Sequence, residues 1–313
     1  MAFTAFSSAP STTAAGGAGN TAEPAARKRS WIALVLLLPG ILYLLLFFIA
    51  PLISLVFTSF QQPVIDGDIG QYSAGFQWQN YTDAVGQYLP LIFRAFGYAI
   101  LATVFALVIS YPMAYFIGVK MRRWPLAQSL LLTLVIAPFF ISFLLRTLAW
   151  KQIFSDEGPI VPVLKALAVL PTDGHITGTP FAVVFGLTYN FIPFMTLPLY
   201  AVLERMDTRY IEAGADLYAS PWTTFRTVTV PLSMPGIISG TLLTFIPAAG
   251  DYINASNDFL GSSQTSMVGN AIEANFLVLQ NYPIAAALSI VLMAVILIIV
   301  GIYVRRAGTE ELI

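Results

Sequence analysis

Few residues in this 313-residue chain could do chemistry, and those few suit holding a cation better than breaking a bond. Asp251 and Tyr252 follow one long apolar run, and Tyr189 and Asn190 sit inside another. A carboxylate neutralises an ammonium group, an aromatic face attracts it through its quadrupole, and apolar walls accept an alkyl stem. Asp251 is open to two readings: it attracts a cation at the outer end of its run, or it simply starts a wet loop. The chain has no Cys and one His, His175. That removes disulfides, Cys/His zinc sites and most nucleophile–histidine catalysis. No GxSxG or GxxxxGK[ST] stretch occurs, so any ATP that drives the protein binds on another subunit. A net charge of −1 gives no ground for a nucleic-acid partner.

These residues must be positioned by membrane-spanning helices. The chain is 57% hydrophobic and 10% charged, where a soluble domain carries about 25% charged residues. Six apolar stretches, roughly 31–60, 91–118, 126–150, 180–203, 228–250 and 283–304, can each supply the ~20 residues that cross a bilayer core. The expected fold class is an all-α polytopic membrane protein. Residues 1–30, rich in Ala, Gly, Ser and Thr, read as a disordered tail. Residues 31–90 read as a first helix and outer loop, 91–306 as the main membrane domain, and 307–313 as a second tail. The first apolar run is too long for a signal peptide's core, and no A-x-A site follows it.

Orientation follows from the basic residues. Eleven of the fifteen Lys and Arg lie in the tail and in alternate gaps: Arg27, Lys28, Arg29, Lys120, Arg122, Arg123, Arg205, Arg209, Arg226, Arg305 and Arg306. The positive-inside rule places these segments, and both termini, in the cytoplasm. The outer loops, 61–90, 151–179 and 251–282, are long enough to dock an external partner or to serve as plain connectors. Arg94 and Arg146 lie near the outer boundary and are expected to snorkel. Pro112, Pro138, Pro193 and Pro198 are expected to kink their helices. Pro138, Ser142, Arg146 and Trp150 recur every four residues and should form one stripe on a third helix.

The most informative stretch faces the cytoplasm. Residues 207–217 read as a short helix, and Ser220-Pro221 as the N-cap and first position of another. Asp207, Glu212 and Asp216 bring charge, while Ile211 and Leu217 bring apolar contact. Such a segment can dock a soluble motor or act as an ordinary amphipathic connector.

This stretch resembles the EAA motif of ABC importer permeases, EAA-x3-G-x9-I-x-L-P. Glu212 and Ala213 match its opening, Gly214 stands for the second Ala, Val228 and Val230 stand for Ile and Leu, and Pro231 matches. Tyr218 stands where the motif has Gly, a position that suits positive φ. SYPMAYFIG (110–118), APFFISFLLRTLAW (137–150), GLTYNFIPFMTLPLYAVLERMD (186–207) and the LGS at 260–262, in place of LGG, are similar to the spermidine/putrescine permease branch.

The resemblance implies a type I ABC importer (MetI-like) fold of six transmembrane helices in the cytoplasmic membrane. It implies a transport subunit that translocates a small organic cation, a polyamine first of all, with thiamine, ferric ion or an opine-like solute as alternatives. Glu212, Ala213, Gly214, Asp216, Tyr218 and Pro231 would couple to an ATPase. No cofactor is expected in this chain, since ATP and Mg would sit on the ATPase. The partners implied are a homologous permease, two ATPase subunits, an extracytoplasmic solute-binding protein and membrane lipid. A contrasting reading, an ion-coupled carrier, would need acidic residues at mid-span, and none is evident.

Overall fold

The computed structural model describes residues 31–64 and 67–307. The expected tail at 1–30, and the last six residues of the expected second tail, lie outside them. The chain divides into two compact units, 1–51 and 52–313. In the first, helix α1 (Trp31–Leu44) carries Pro39 and widens into a π turn at Leu45–Ile49. The large apolar side chains from Leu36 onward are exposed, as on a helix that meets lipid. Helix α2 (Ala50–Ser59) leads into the second unit.

There a two-residue hairpin, β1 (Gln62–Pro63) with β2 (Tyr72–Ser73), pairs antiparallel. Helix α3 (Gln79–Tyr115) continues through a π turn to Arg123. Helices α4 (Pro125–Ile136) and α5 (Phe143–Phe154) follow, then the short α6 (Ile160–Ala166) and the long α7 (Pro180–Arg205). The short helices α8 (Arg209–Asp216), α9 (Pro221–Thr224) and α10 (Val230–Leu232) lead to α11 (Met234–Ala249). Helix α12 (Val268–Glu273) and α13 (Tyr282–Ala307) complete the unit. Among the described residues four helices are long and apolar enough to cross a membrane, and six spans result if each of two bent pairs counts as one.

The core forms where α3, α7, α11 and α13 meet. Ala95, Ala99, Ala102 and Ala106 line one face of α3 and are fully buried. Small side chains let helices approach closely when lipid, not water, surrounds them. Val183 and Leu187 of α7, Phe245 of α11 and Leu288 of α13 fill the space opposite. A GxxxG pair, Gly236 and Gly240, seats α11 on α7: a Cβ at Gly236 would lie 3.0 Å from the Pro198 carbonyl, and one at Gly240 3.0 Å from that of Met195.

Four expectations change. Helix α3 begins at Gln79 instead of near 91, which shortens the first outer loop. Pro90 removes one hydrogen bond, but Asn80 anchors the start by donating to the Ser59 and Gln61 carbonyls at 2.9 Å. The third span is broken: α4 with its 3-10 extension to Phe140 meets α5 at 93°. Ile141 and Ser142 are extended between them, so the stripe from Pro138 to Trp150 does not form. Arg146 does not snorkel. It is 8% exposed, its guanidinium lies 5.7 Å from the Phe143 ring centroid, and its Nε and Nη1 have no partner. Finally, α7 stays one helix across Pro193 and Pro198. The fifth span breaks instead at Ser233, by 67°.

Candidate functional site

Two regions carry the residues singled out above. The first is the segment of short helices after α7. Met206 turns the chain out of the helix, and Arg122 donates to its carbonyl at 3.0 Å. Asp207 accepts from the Arg209 amide at 3.0 Å and starts α8. Ser220 caps α9 by accepting from the Thr223 amide at 3.2 Å, with Pro221 at the first position. Ile211 and Phe225 face the core, where Phe225 meets Tyr111 edge-on at 5.4 Å and Tyr115 at 6.3 Å. The opposite side is bare: Leu217, Tyr218 and Trp222 are exposed. Glu212, Ala213, Asp216 and Pro231 are also exposed. Glu212 lines a cavity of about 540 Å³ with Lys120, Arg122, Arg123 and Trp124.

Gly214 holds α8 against α9. A Cβ there would lie 2.7 Å from Thr224 Oγ1 and 2.8 Å from its Cγ2. The turn that follows needs a left-handed residue, and Tyr218 adopts φ +56°. The Tyr218 amide donates to Ala215 at 2.9 Å and the Ala219 amide to Gly214 at 3.0 Å, closing the helix end. A bulky residue in this conformation costs about 1 kcal/mol or more. Tyr218 is 98% exposed, so nothing in this chain repays that cost. Tyr218→Gly is therefore expected to raise the thermal stability of the isolated permease slightly, since Gly's extra freedom when unfolded offsets part of the relief. An unchanged or lowered unfolding midpoint would mean that the turn carries no strain at Tyr218.

The second region lies where α5 and α7 meet the chain that leaves the C-terminal end of α11. Asp251 is 7% exposed, so it does not start a wet loop. Its Oδ2 accepts from the Asn254 amide at 2.8 Å and its Oδ1 from Asn254 Nδ2 at 3.2 Å. Asn254 Oδ1 accepts from Asn190 Nδ2 at 3.2 Å, and Asn190 Nδ2 also reaches Thr147 Oγ1 at 3.2 Å. Gly186 leaves room for this chain, because a Cβ there would collide with Leu260 and Asn254. Of the four outer residues, the structure joins Asn190 and Asp251 through Asn254, a residue the sequence reading passed over. Tyr189 lies apart in an aromatic cluster, 5.2 Å from Trp150 and stacked on Phe185 at 6.4 Å. Tyr252 faces a separate cavity beside Glu273.

Burial pushes the Asp251 carboxyl up from 3.8 to about 6, against the lowering pull of the Asn254 N–H groups. The folded state thus holds a proton more tightly than the unfolded chain. At about 1.4 kcal/mol per pH unit, ionising Asp251 costs the fold about 3 kcal/mol. Its stability contribution is full below pH 3.8, falls as pH rises to about 6, and is flat above. Asp251→Asn should abolish this decline, read as the pH dependence of the unfolding midpoint in detergent between pH 4 and 7. An unchanged slope would assign the decline to another group.

The bent third and fifth spans, the GxxxG contact and the exposed helix–turn–helix after α7 agree with a match found over residues 110–307: the family described as the binding-protein-dependent transport system inner membrane component. The chain belongs to this family. This permease is 34% identical over 266 residues to the spermidine/putrescine transport system permease protein PotB of Escherichia coli (strain K12), covering 85% of this chain and 94% of that one. It is 32% identical over 277 residues to PotB of Haemophilus influenzae, covering 88% and 90%. Its fold is similar to that in the crystal structure of a bacterial ABC transporter involved in alginate import, with TM-score 0.64 at 17% identity, over 91% of this chain and 97% of that one. The permease is a multi-pass inner-membrane subunit of an ABC importer.

Proposed function

We propose that this permease moves a small organic cation of the polyamine class inward across the cytoplasmic membrane. The observation that carries the reading is its 34% and 32% identity to two spermidine/putrescine permeases over 85% and 88% of its length. Residues 91–306 form the translocation domain in this reading, 31–90 precede it, and both termini face the cytoplasm. ATP and Mg sit on two partner ATPase subunits, a homologous permease supplies the other half of the path, and an extracytoplasmic solute-binding protein delivers the solute. Glu212, Ala213, Gly214, Asp216, Tyr218 and Pro231 belong to the surface that meets the ATPase. Support comes from the bare Leu217–Trp222 side of a segment whose other side is pinned to α3 through Phe225. A segment so pinned passes a push from the motor into the membrane helices as a lever.

The test is a ligand screen on the cognate binding protein with putrescine, spermidine, thiamine and ferric ion, joined to uptake assays with and without the ATPase gene. Polyamine binding and ATPase-dependent uptake are expected. Selective binding of thiamine or ferric ion would replace the substrate, and uptake that survives loss of the ATPase would point to an ion-coupled carrier.

A further inference from the structure

Asp251 is the acidic residue the sequence draws attention to, but both its oxygens are taken by Asn254. A carboxylate with free oxygens lies one helix further on. Glu273 ends α12 and lines a cavity of about 280 Å³ with Tyr252, Phe276, Ile272 and Leu277. Among the described residues Glu273 has no ion pair, since the only pairs there are Asp156 with Lys165 and with His175. No hydrogen bond fills it either: the polar groups near it, Asn270 and Tyr252, bond to each other, Asn270 Nδ2 donating to the Tyr252 carbonyl at 2.6 Å.

The floor of this cavity is backbone. Gly250 and Gly269 both line it, and Gly269 sits so close that a Cβ would lie 2.5 Å from the Asp251 carbonyl oxygen and 2.9 Å from that of Gly250. Neither carbonyl accepts a hydrogen bond among the described residues. A partly buried carboxylate thus lines the same cavity as the Gly250 backbone. Tyr252 and Phe276 add two aromatic rings, 44% and 54% exposed. Phe276 is held edge-on by Tyr282 at 5.3 Å. Burial raises the Glu273 carboxyl above its ordinary value, and the Asp258 carboxylate adds to this. Both effects are relieved by a cation.

We propose that the Glu273 cavity is a binding site for a primary alkylammonium group. In it the ammonium is held by the Glu273 carboxylate, and the stem lies along Tyr252 and Phe276. The carboxylate accepts from the ammonium N–H donors, with cation–π attraction worth about 0.5–2 kcal/mol from the rings. About 280 Å³ admits one end of a diamine. The site rests on the polyamine reading and deepens it, by placing a waypoint at the outer mouth between the binding protein and the span interior.

The test uses the complete complex in proteoliposomes with putrescine-loaded binding protein at saturation. Glu273→Gln should lower the initial uptake rate at least fivefold, Glu273→Asp should retain more than half of it, and Tyr252→Phe, which keeps the ring, should transport better than Tyr252→Leu. The absence of native cysteine allows a second readout that does not depend on transport. Leu277→Cys should be protected from a cationic thiol reagent by millimolar putrescine, and adding Glu273→Gln should abolish that protection. Wild-type uptake by Glu273→Gln, equal protection with and without it, or rescue of uptake by excess binding protein would each overturn the site, the last by assigning Glu273 to docking. Failure of the polyamine reading itself is separable, because the isolated binding protein would then not bind putrescine.

Discussion

Gly214→Val is expected to cut solute uptake at least tenfold and to lose the ATPase on co-purification, while the membrane domain stays folded. The reason is local. Helices α8 and α9 approach so closely at this point that a Cβ meets both γ atoms of Thr224. Thr224 is buried and β-branched, so rotating about χ1 exchanges one clash for the other. Overpacking of this kind costs about 1–3 kcal/mol, and the cheapest relief is to swing α8 outward. That movement displaces Leu217 and Tyr218 from the surface proposed to meet the ATPase. The membrane core is untouched, because Ile211 and Phe225 are the side chains that tie the segment to α3 and α7. Thr224→Ala in the same chain should restore both assembly and uptake, since it removes the atoms in collision. Equal loss in the single and double variants would show that Gly214 acts by some means other than this contact. Measuring the four chains of the cycle gives the coupling directly.

Gly261→Ala should lower the yield of folded permease and shift its unfolding midpoint by several degrees. The added Cβ would run into the backbone carbonyl of Ala255, which no side-chain rotation can clear. The Gly261 amide donates to the Ser256 carbonyl at 3.0 Å, so the two strands of this loop are already at their closest approach. The loop also ties the entrance of α7: the Gly178 amide donates to the Leu260 carbonyl at 2.8 Å, and Ser262 Oγ donates to the Gly178 carbonyl at 2.7 Å. Pushing Gly261 away strains both links and the seat of Leu260, which is fully buried beside Phe154 and Val161. A cost of about 3 kcal/mol is roughly a hundredfold in the folding equilibrium. Ser262→Gly, which restores the LGG of the resembling branch, is the contrast. It forfeits only the hydroxyl's bonds to the Gly178 carbonyl and to Thr265 Oγ1, about 1–2 kcal/mol. Fluorescence-detected size exclusion of the two variants compares them, and similar behaviour would mean that Gly261 has more slack than its contacts indicate.

Much of the fold was legible because lipid imposes one strong condition. A span needs an unbroken apolar run whatever it packs against, so six runs announced six crossings before any contact was known. The coupling segment was legible for a related reason. Its caps and turns are satisfied within a few residues, as with Ser220 and Thr223, and its motif is contiguous. The motif's Gly position suits positive φ, and Tyr218 adopts it there, a feature local in the same sense.

The bends were not legible. Proline marks a lost hydrogen bond, but whether the helix continues depends on what satisfies the freed groups. Pro193 and Pro198 lie inside an intact helix, whereas the chain breaks at Ile141–Ser142 and at Ser233. At the second break the Ser233 hydroxyl bonds Tyr111 Oη at 2.7 Å, a partner 122 positions away. Arg146 looked like a boundary residue and is enclosed because α5 folds back after the break.

Sequence by itself determined that this protein lives in the membrane and that it crosses about six times, and it singled out residues 207–231 as the segment proposed to meet a motor. Hydropathy runs, basic-residue bias and a contiguous motif each act through neighbours in the chain. Only tertiary structure decided which polar side chains are spent on holding the fold and which remain free to bind. Asp251, drawn toward Asn254 and linked through it to Asn190, is committed to the first use, while Glu273 retains the second. A carboxylate's availability depends on donors delivered from other helices, and those arrive only when the chain is folded.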